Sequence, residues 1–297
     1  DAHTVIVKDR LYRGRAFVLA TGSCDVVPSI TGLESSGFLT YKDAVSLKRL
    51  PESLAILGGG PVGCELATFF AMLGTKVSII ELGPNILPRE DSEIAALATR
   101  QLMKIGVHIF TKTDTIKVAN RGFRKKLSLS VHGKEQLLIV DSLILTIGKR
   151  PNIDRLGLDK TGIKIDEHSR FVVDMMMRTD VGHIFAAGDV AGGYLFTHTA
   201  HLEGQIAGCN AAKLNQKNRL RCDESVVPRV TFLDPEIASV GMTPDQAKKA
   251  NLTIKVSSFP IGALGRAISD GHRDGLIKIV IDAKSRKILG GHIIGHN

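Results

Sequence analysis

Tryptophan is absent from this 297-residue sequence, aromatic residues make up only 5% of it, and cysteine occurs four times. Each scarcity excludes something. Cys24, Cys64, Cys209 and Cys222 lie far apart with no C-x-x-C pair, so neither a disulfide framework nor a zinc site can be read from them, and no metal is expected. A reduced, cytoplasmic setting fits such cysteine usage best. Long apolar runs are missing too. The best, Leu137 to Ile147, is broken by Asp141 and falls short of the ~18 residues a membrane span needs, so no membrane partner is expected. The net charge of +9 invites a nucleic-acid reading, with basic clusters at Arg121–Lys126 and Lys213–Arg221. So few aromatics supply no stacking platform, and these clusters read as solvated surface with no nucleic-acid partner.

What the chain does have is glycine at the ends of apolar strands. Phe17–Gly22, Leu143–Gly148 and Ile184–Gly188 each run from buried-type residues into a small residue and then glycine. Such runs suit strands buried on both faces of a parallel α/β sheet, and ligands of open α/β sheets collect at these strand ends. A complete β-α-β unit lies between the first two. Ser53–Leu57 reads as a strand and Pro61–Leu73 as a helix carrying Val62, Leu66, Phe69 or Phe70 and Leu73 on its apolar side. Lys76–Ile80 reads as the returning strand. A second helix follows the N-cap Asp91, with Ile94, Leu97, Leu102 and Ile105 on one face. From His108 to Thr146 short β-like runs predict an antiparallel excursion. A small-residue helix is expected from Thr197 to about Asn215, and beyond Val226 strands gather around a helix opened by Thr243-Pro244-Asp245-Gln246.

The turn Gly58-x-Gly60-x-x-Gly63, with Pro61 and Val62 inside it, gains force from its setting: strand before, helix after, second strand, then Glu81. Its glycines permit a tight turn and let backbone amides and a helix N-terminus meet a pyrophosphate. Glu81 can accept hydrogen bonds from both ribose hydroxyls and would repel a 2′-phosphate, which favours NADH over NADPH. Asp189, after Gly188 at the end of a buried strand, is placed to bind polyol hydroxyls.

Together these segments resemble the flavoprotein disulfide reductases, the pyridine nucleotide-disulfide oxidoreductase family, on its mercuric reductase and dihydrolipoamide dehydrogenase-like branch. Ala20-Thr21-Gly22-Ser23 is similar to the A-T-G-S of the family's FAD domain, and Gly58–Gly63 to its NAD motif. Gly148-Lys149-Arg150-Pro151-Asn152 is similar to its G-R-x-P-N, Thr179–Asp189 to its second flavin motif, and Thr231–Gly241 to the opening of its dimerisation domain. The resemblance implies an α/β chain: Rossmann-like FAD and NAD domains, three-layer ββα, followed by an α+β dimerisation domain. The implied division is 1–34 (first FAD part), 35–148 (NAD domain), 149–224 (second FAD part) and 225–297 (dimerisation domain). It further implies that Asp189 binds the ribityl chain of FAD, that Thr197 faces the flavin pyrimidine edge, and that Gly148 lines the nicotinamide nucleotide. Glu65 would be catalytic, paired beside flavin N5 with a lysine this chain lacks. The implied activity is an enzyme passing hydride from NAD(P)H through FAD to an active-site disulfide, as a homodimer acting on a small-molecule or disulfide substrate.

Departures accompany the resemblance. The family's redox-active C-x-x-x-x-C and its C-terminal His-x-x-x-x-Glu have no counterpart here, so the chain is expected to lack both ends of a family member. Cys24 and Cys64 read as buried small hydrophobes. Lys149 replaces the usual arginine, losing a bidentate fork but keeping charge, and His198 stands where many members have proline. Two alternatives stay open: an NADH oxidase, peroxidase or quinone reductase of the same fold, and a catalytically incomplete dinucleotide-binding fragment.

Overall fold

The computed structural model describes residues 3–213 and 219–296. It is a mixed α/β structure in two compact units, residues 1–26 with 149–227, and residues 27–148 with 228–297.

In the first unit the Phe17–Leu19 strand pairs in parallel with Ile184–Ala186, and Ser23–Asp25 pairs antiparallel with Lys149–Pro151. The Thr197–Ala212 helix packs on the Gly188–Val190 turn. Beneath it Phe185, Ala187, Ile206 and Ala207 form a small core. Two expectations are corrected here. The first glycine-ended strand stops at Leu19, and Val18 remains 38% exposed, because Ile184–Ala186 is its sole strand partner among the described residues. Cys24 is half-buried in its edge strand rather than buried. The Asn215 end expected for the long helix, and the middle of the Lys213–Arg221 cluster, lie outside the described residues.

The second unit is built on a four-stranded parallel sheet in the order 142–145, 53–57, 76–80, 108–110. Central strands of such a sheet are buried on both faces, which explains the unbroken Leu54–Leu57 and Val77–Ile80 runs. The Pro61–Met72 helix crosses between the first two neighbours in sequence. It buries Gly63, Cys64, Leu66, Ala67, Thr68 and Phe70, while Val62 and Leu73 stay 39% and 50% exposed. The apolar face expected from the large residues is therefore rotated. Small residues let the helix lie close on the sheet, and Phe70 rather than Phe69 fills the gap. The Ser92–Lys104 helix is capped by Asp91, whose side chain accepts from the Glu93 and Ile94 amides.

The predicted excursion is a three-stranded antiparallel meander, 113–121, 124–131 and 134–140. At its first turn Phe123 is fully exposed. Arg124 pairs with Asp141 and Lys125 donates to Ser36 O and Asn120 Oδ1, so this basic stretch is partly matched within the chain. The C-terminal strands form a five-stranded antiparallel sheet, in the order 229–231, 236–241, 288–295, 276–282, 254–260. The Thr243 capping box opens its first helix as expected, and a second short helix, Gly265–Asp270, joins it. Among the described residues no helix is long and apolar enough to cross a membrane.

Candidate functional site: two glycine turns

The Ser53–Leu57 strand runs straight into Gly58, whose φ of +107° favours glycine. A Cβ here would also lie 2.6 Å from the Thr146 carbonyl oxygen. Gly63 is required for a different reason, since a Cβ on it would run into the Gly58 carbonyl. Gly60 differs from both. It caps the helix in an extended conformation, and among the described residues nothing beyond its immediate chain neighbours lies within 4 Å of its Cβ position. Neither backbone nor packing demands glycine there, so the open cradle is available to a ligand. Pro61 at the first helical position lacks an amide that would otherwise be unsatisfied, and Pro61 and Val62 are both exposed.

Glu81 closes this turn. Its Oε2 accepts the Gly59 N–H at 2.7 Å and its Oε1 accepts the Gly83 N–H at 2.6 Å. Each carboxylate oxygen keeps a second lone pair for a hydroxyl donor. Thr146 forms the floor: its Oγ1 donates to the carbonyls of Leu57 and Gly58, at 3.0 and 2.9 Å. Gly148, beyond that strand, is exposed at φ +141°. Gly59 and Thr146 were not singled out in the sequence. Gly59 sits inside the motif and could have been found there, because a Cβ on it would strike Ile86.

Glu65 lies on the same helix, half-buried. Its Oε1 accepts the Phe232 N–H at 3.0 Å, and burial raises its pKa against the opposing pull of that bond. It borders an open cleft of about 310 Å³ with Phe69, Met72, Phe232 and His296. Neighbouring Cys64 is buried, and desolvation pushes its thiol far above the ordinary range, so it is a packing residue and not a nucleophile.

The other turn lies in the first unit. Gly188 has φ +75°, and Asp189 follows it half-buried, accepting a hydrogen bond from Ser23 Oγ. Thr21 Oγ1 is buried with no hydrogen-bond partner among the described residues. Next to it Gly22 adopts φ +69° with open space at its Cβ position. An orphaned hydroxyl beside an open glycine fits a polar group brought in by a ligand. Thr197 is exposed at the first position of a 16-residue helix, where amides lack intrahelical partners and the dipole favours negative charge. Lys149 pairs with Asp25 at 2.5 Å. A further residue, Glu203, is 2% exposed, and its Oε2 accepts the Gly188 N–H at 2.6 Å. Nothing local marks it out from a solvated helix carboxylate. Among the described residues no group of three or more His, Cys, Asp or Glu is placed to hold a metal ion.

Residues 1–204 match the family model for pyridine nucleotide-disulphide oxidoreductases, and residues 227–297 match the model for that family's dimerisation domain. A mercuric reductase of Bacillus cereus is 34% identical over 298 residues, spanning 100% of this chain and 47% of that protein. A dihydrolipoyl dehydrogenase of Mycobacterium leprae is 34% identical, over 94% of this chain and 59% of that protein. Among solved structures, the HOCl-induced flavoprotein disulfide reductase RclA of Escherichia coli superposes with a TM-score of 0.89 at 30% identity. That match spans 100% of this chain and 67% of RclA. The chain spans about half the length of the curated relatives it matches.

Proposed function

Because the chain belongs to the pyridine nucleotide-disulphide oxidoreductase family, we propose that it serves an FAD-dependent oxidoreductase. In that reaction hydride passes from a nicotinamide nucleotide, by way of flavin, to a disulfide, as in a mercuric reductase or dihydrolipoyl dehydrogenase. The observation that carries this reading is the pairing of an open Gly60 cradle with a Glu81 carboxylate fixed by two backbone amides. A pyrophosphate needs the first, and an adenine ribose the second.

In this reading Gly58 shapes the turn, Pro61 opens the helix without an N–H, and Gly60, Val62 and Gly63 present their amides to the pyrophosphate. Glu81 accepts from the ribose hydroxyls and repels a 2′-phosphate, so NADH is favoured over NADPH. Gly148 lets the nucleotide approach the exposed strand end. FAD, when bound, supplies the two-electron chemistry. Asp189, oriented by Ser23, accepts from the ribityl hydroxyls. Thr21 and Gly22 offer a hydroxyl and open backbone, Lys149 keeps a cation paired to Asp25, and the helix beginning at Thr197 stabilises negative charge on the isoalloxazine. Glu65, its charge disfavoured by burial, is the proposed catalytic carboxyl.

We assign residues 1–34 and 149–224 to flavin, 35–148 to NAD and 225–297 to dimerisation. A homodimer acting on a small-molecule or disulfide substrate follows, and a cytoplasmic setting is supported by four free thiols. The test is a visible spectrum of the purified chain with a titration of NADH and NADPH. A flavin band with tighter NADH binding is expected. No affinity for either nucleotide would overturn the reading.

A further inference from the structure

Three glycines stand in a row at the nucleotide turn, Gly58, Gly59 and Gly60. The two peptides between them have no Cβ on either side, so little steric resistance opposes a half-turn of either plane. The orientation of those planes decides the chemistry. An outward N–H attracts a pyrophosphate, whereas a half-turn would put a carbonyl oxygen in its place and repel it. No side chain can stiffen the first two positions. A Cβ on Gly58 would meet the Thr146 carbonyl, and one on Gly59 would lie 2.6 Å from Ile86. The planes are held by hydrogen bonds instead.

The first plane is held at both ends. Its carbonyl, on Gly58, accepts from Thr146 Oγ1 at 2.9 Å, and its N–H, on Gly59, donates to Glu81 Oε2 at 2.7 Å. The second plane is held at one end. The Gly59 carbonyl accepts the Leu87 N–H at 2.8 Å, and the Cys64 thiol more distantly at 3.4 Å. This peptide is trans, so its N–H, on Gly60, points to the opposite side. There it meets no acceptor among the described residues.

Leu87 makes its bond from a strained backbone. Its φ is +52°, a left-handed value uncommon for a side chain of its size, and Pro88 steers its predecessor toward extended backbone instead. Two contacts keep it there. Its side chain is buried in the core that includes Ile86, Ile94 and Ile237. Its carbonyl accepts the Glu90 N–H at 3.0 Å, and the Glu90 carboxylate is bonded in turn to Arg229 and Ser239 of the C-terminal sheet. Strain of this kind persists only where the surroundings over-determine it, and it gathers at binding sites.

We infer that Leu87 is a positioning residue for nucleotide binding. Its left-handed backbone aims one N–H at the Gly59 carbonyl, which locks the Gly59–Gly60 peptide with the Gly60 N–H outward, toward the pyrophosphate. The lock rests on hydrogen bonds within this chain; its use rests on the nucleotide reading of the turn.

The experiment separates the backbone of residue 87 from its side chain. Leu87→Ile keeps the apolar volume, but a β-branched side chain fits poorly at φ +52° and should swing the N–H away from Gly59. Leu87→Gly loses the packing yet adopts that φ freely, so the N–H stays in place. Both variants, and Leu87→Met as the conservative replacement, are measured by urea midpoint, by NADH titration and by hydrogen exchange of the residue 87 amide in NMR spectra. Leu87→Ile should weaken NADH binding about tenfold and leave that amide unprotected. Leu87→Gly should unfold at clearly lower urea than the parent, yet keep a protected amide and an NADH affinity within about twofold. Leu87→Met should resemble the parent in every readout.

Weaker NADH binding in Leu87→Gly than in Leu87→Ile would overturn the assignment. If Leu87→Gly does not fold, Leu87→Ile is compared with Leu87→Met, and equal NADH affinity in those two overturns it. A protected parent amide in a chain with no affinity for NADH or NADPH would remove the nucleotide reading and leave the lock standing. An unprotected parent amide would overturn the lock itself.

Discussion

Lys278 Nζ lies 2.7 Å from Asp91 Oδ1, with both side chains almost wholly buried. Lys278 comes from the C-terminal five-stranded sheet, and Asp91 caps the Ser92–Lys104 helix that flanks the parallel sheet. Glu93 adds a second carboxylate to the ammonium. Close by, Arg229 donates to Glu90 at 2.9 Å and Ser239 Oγ does so at 2.6 Å. The consecutive pair Glu90-Asp91 thus ties two sheets of one unit through two separate cations.

Removing one member of a buried pair strands the other. Lys278→Ala is expected to cost about 3–5 kcal/mol in urea unfolding, and Lys278→Met with Asp91→Asn appreciably less, because no lone charge is then left inside. Burial alone would lower the Lys278 pKa, but the Asp91 and Glu93 bonds outweigh it and raise it. The stabilisation is therefore complete below the ordinary lysine range and fades as pH climbs through the raised value. A single variant as stable as the double would contradict this account.

The glycines of the nucleotide turn separate structural from ligand roles. Gly60→Ala meets no protein atom and should cost under about 1 kcal/mol, the loss of a glycine cap, while nucleotide binding falls at least about tenfold. Gly58→Ala is strained at φ +107° and meets the Thr146 carbonyl, so a loss of about 2–4 kcal/mol is expected. Thermal melting with NADH titration reads both; equal effects at the two positions would be inconsistent with an open cradle at Gly60.

Glu81→Arg should invert the preference between NADH and NADPH, by roughly tenfold or more in the ratio of dissociation constants. The substitution removes an acceptor for ribose hydroxyls and brings a cation to a 2′-phosphate. It also frees the Gly59 and Gly83 amides. Fluorescence titration of both nucleotides is the check, and an unchanged ratio would remove Glu81 from the ribose.

Asp189→Ala should weaken flavin retention by about tenfold or more, measured by dialysis and absorbance, because the ribityl acceptor and the Ser23 partner are lost together. Equal retention in parent and variant would leave Asp189 a purely structural residue.

Glu65 offers a test in pH alone. Burial raises its carboxyl, so its contribution to stability is complete below the ordinary glutamate value and declines as pH rises through the folded one. Glu65→Gln, which can still accept the Phe232 N–H, should match the parent at pH 4 and gain on it steadily toward pH 8 in urea midpoints. A constant difference across that range would mean that the folded carboxyl is not shifted.

How much of this was legible in the sequence depended on how far apart the partners lie. The turn was legible because Gly58, Gly63 and Glu81 fall within one β-α-β unit, with Gly58 favoured by its positive φ and Gly63 by the nearby Gly58 carbonyl. Thr146 was not, since the two carbonyls it binds lie 88 and 89 residues upstream. Glu203 looked like any helix carboxylate; only the fold turns its face inward against Gly188. The rotation of the Pro61–Met72 helix was missed because apolar periodicity weights large side chains, whereas close approach to a sheet selects small ones such as Gly63, Cys64 and Ala67. The domain assignment of flavin and nucleotide parts rests on motif order, which no single contact encodes.

The strand just before Thr146 pairs beside the strand that opens the Gly58 turn, yet it is made long after it. Gly58, the helix and Glu81 have all been synthesised when the whole antiparallel meander is still to be translated. A nascent chain in that interval has the cradle and its acidic partner but no floor beneath Gly58. The floor of the turn is thereby completed by a threonine made 88 residues after Gly58.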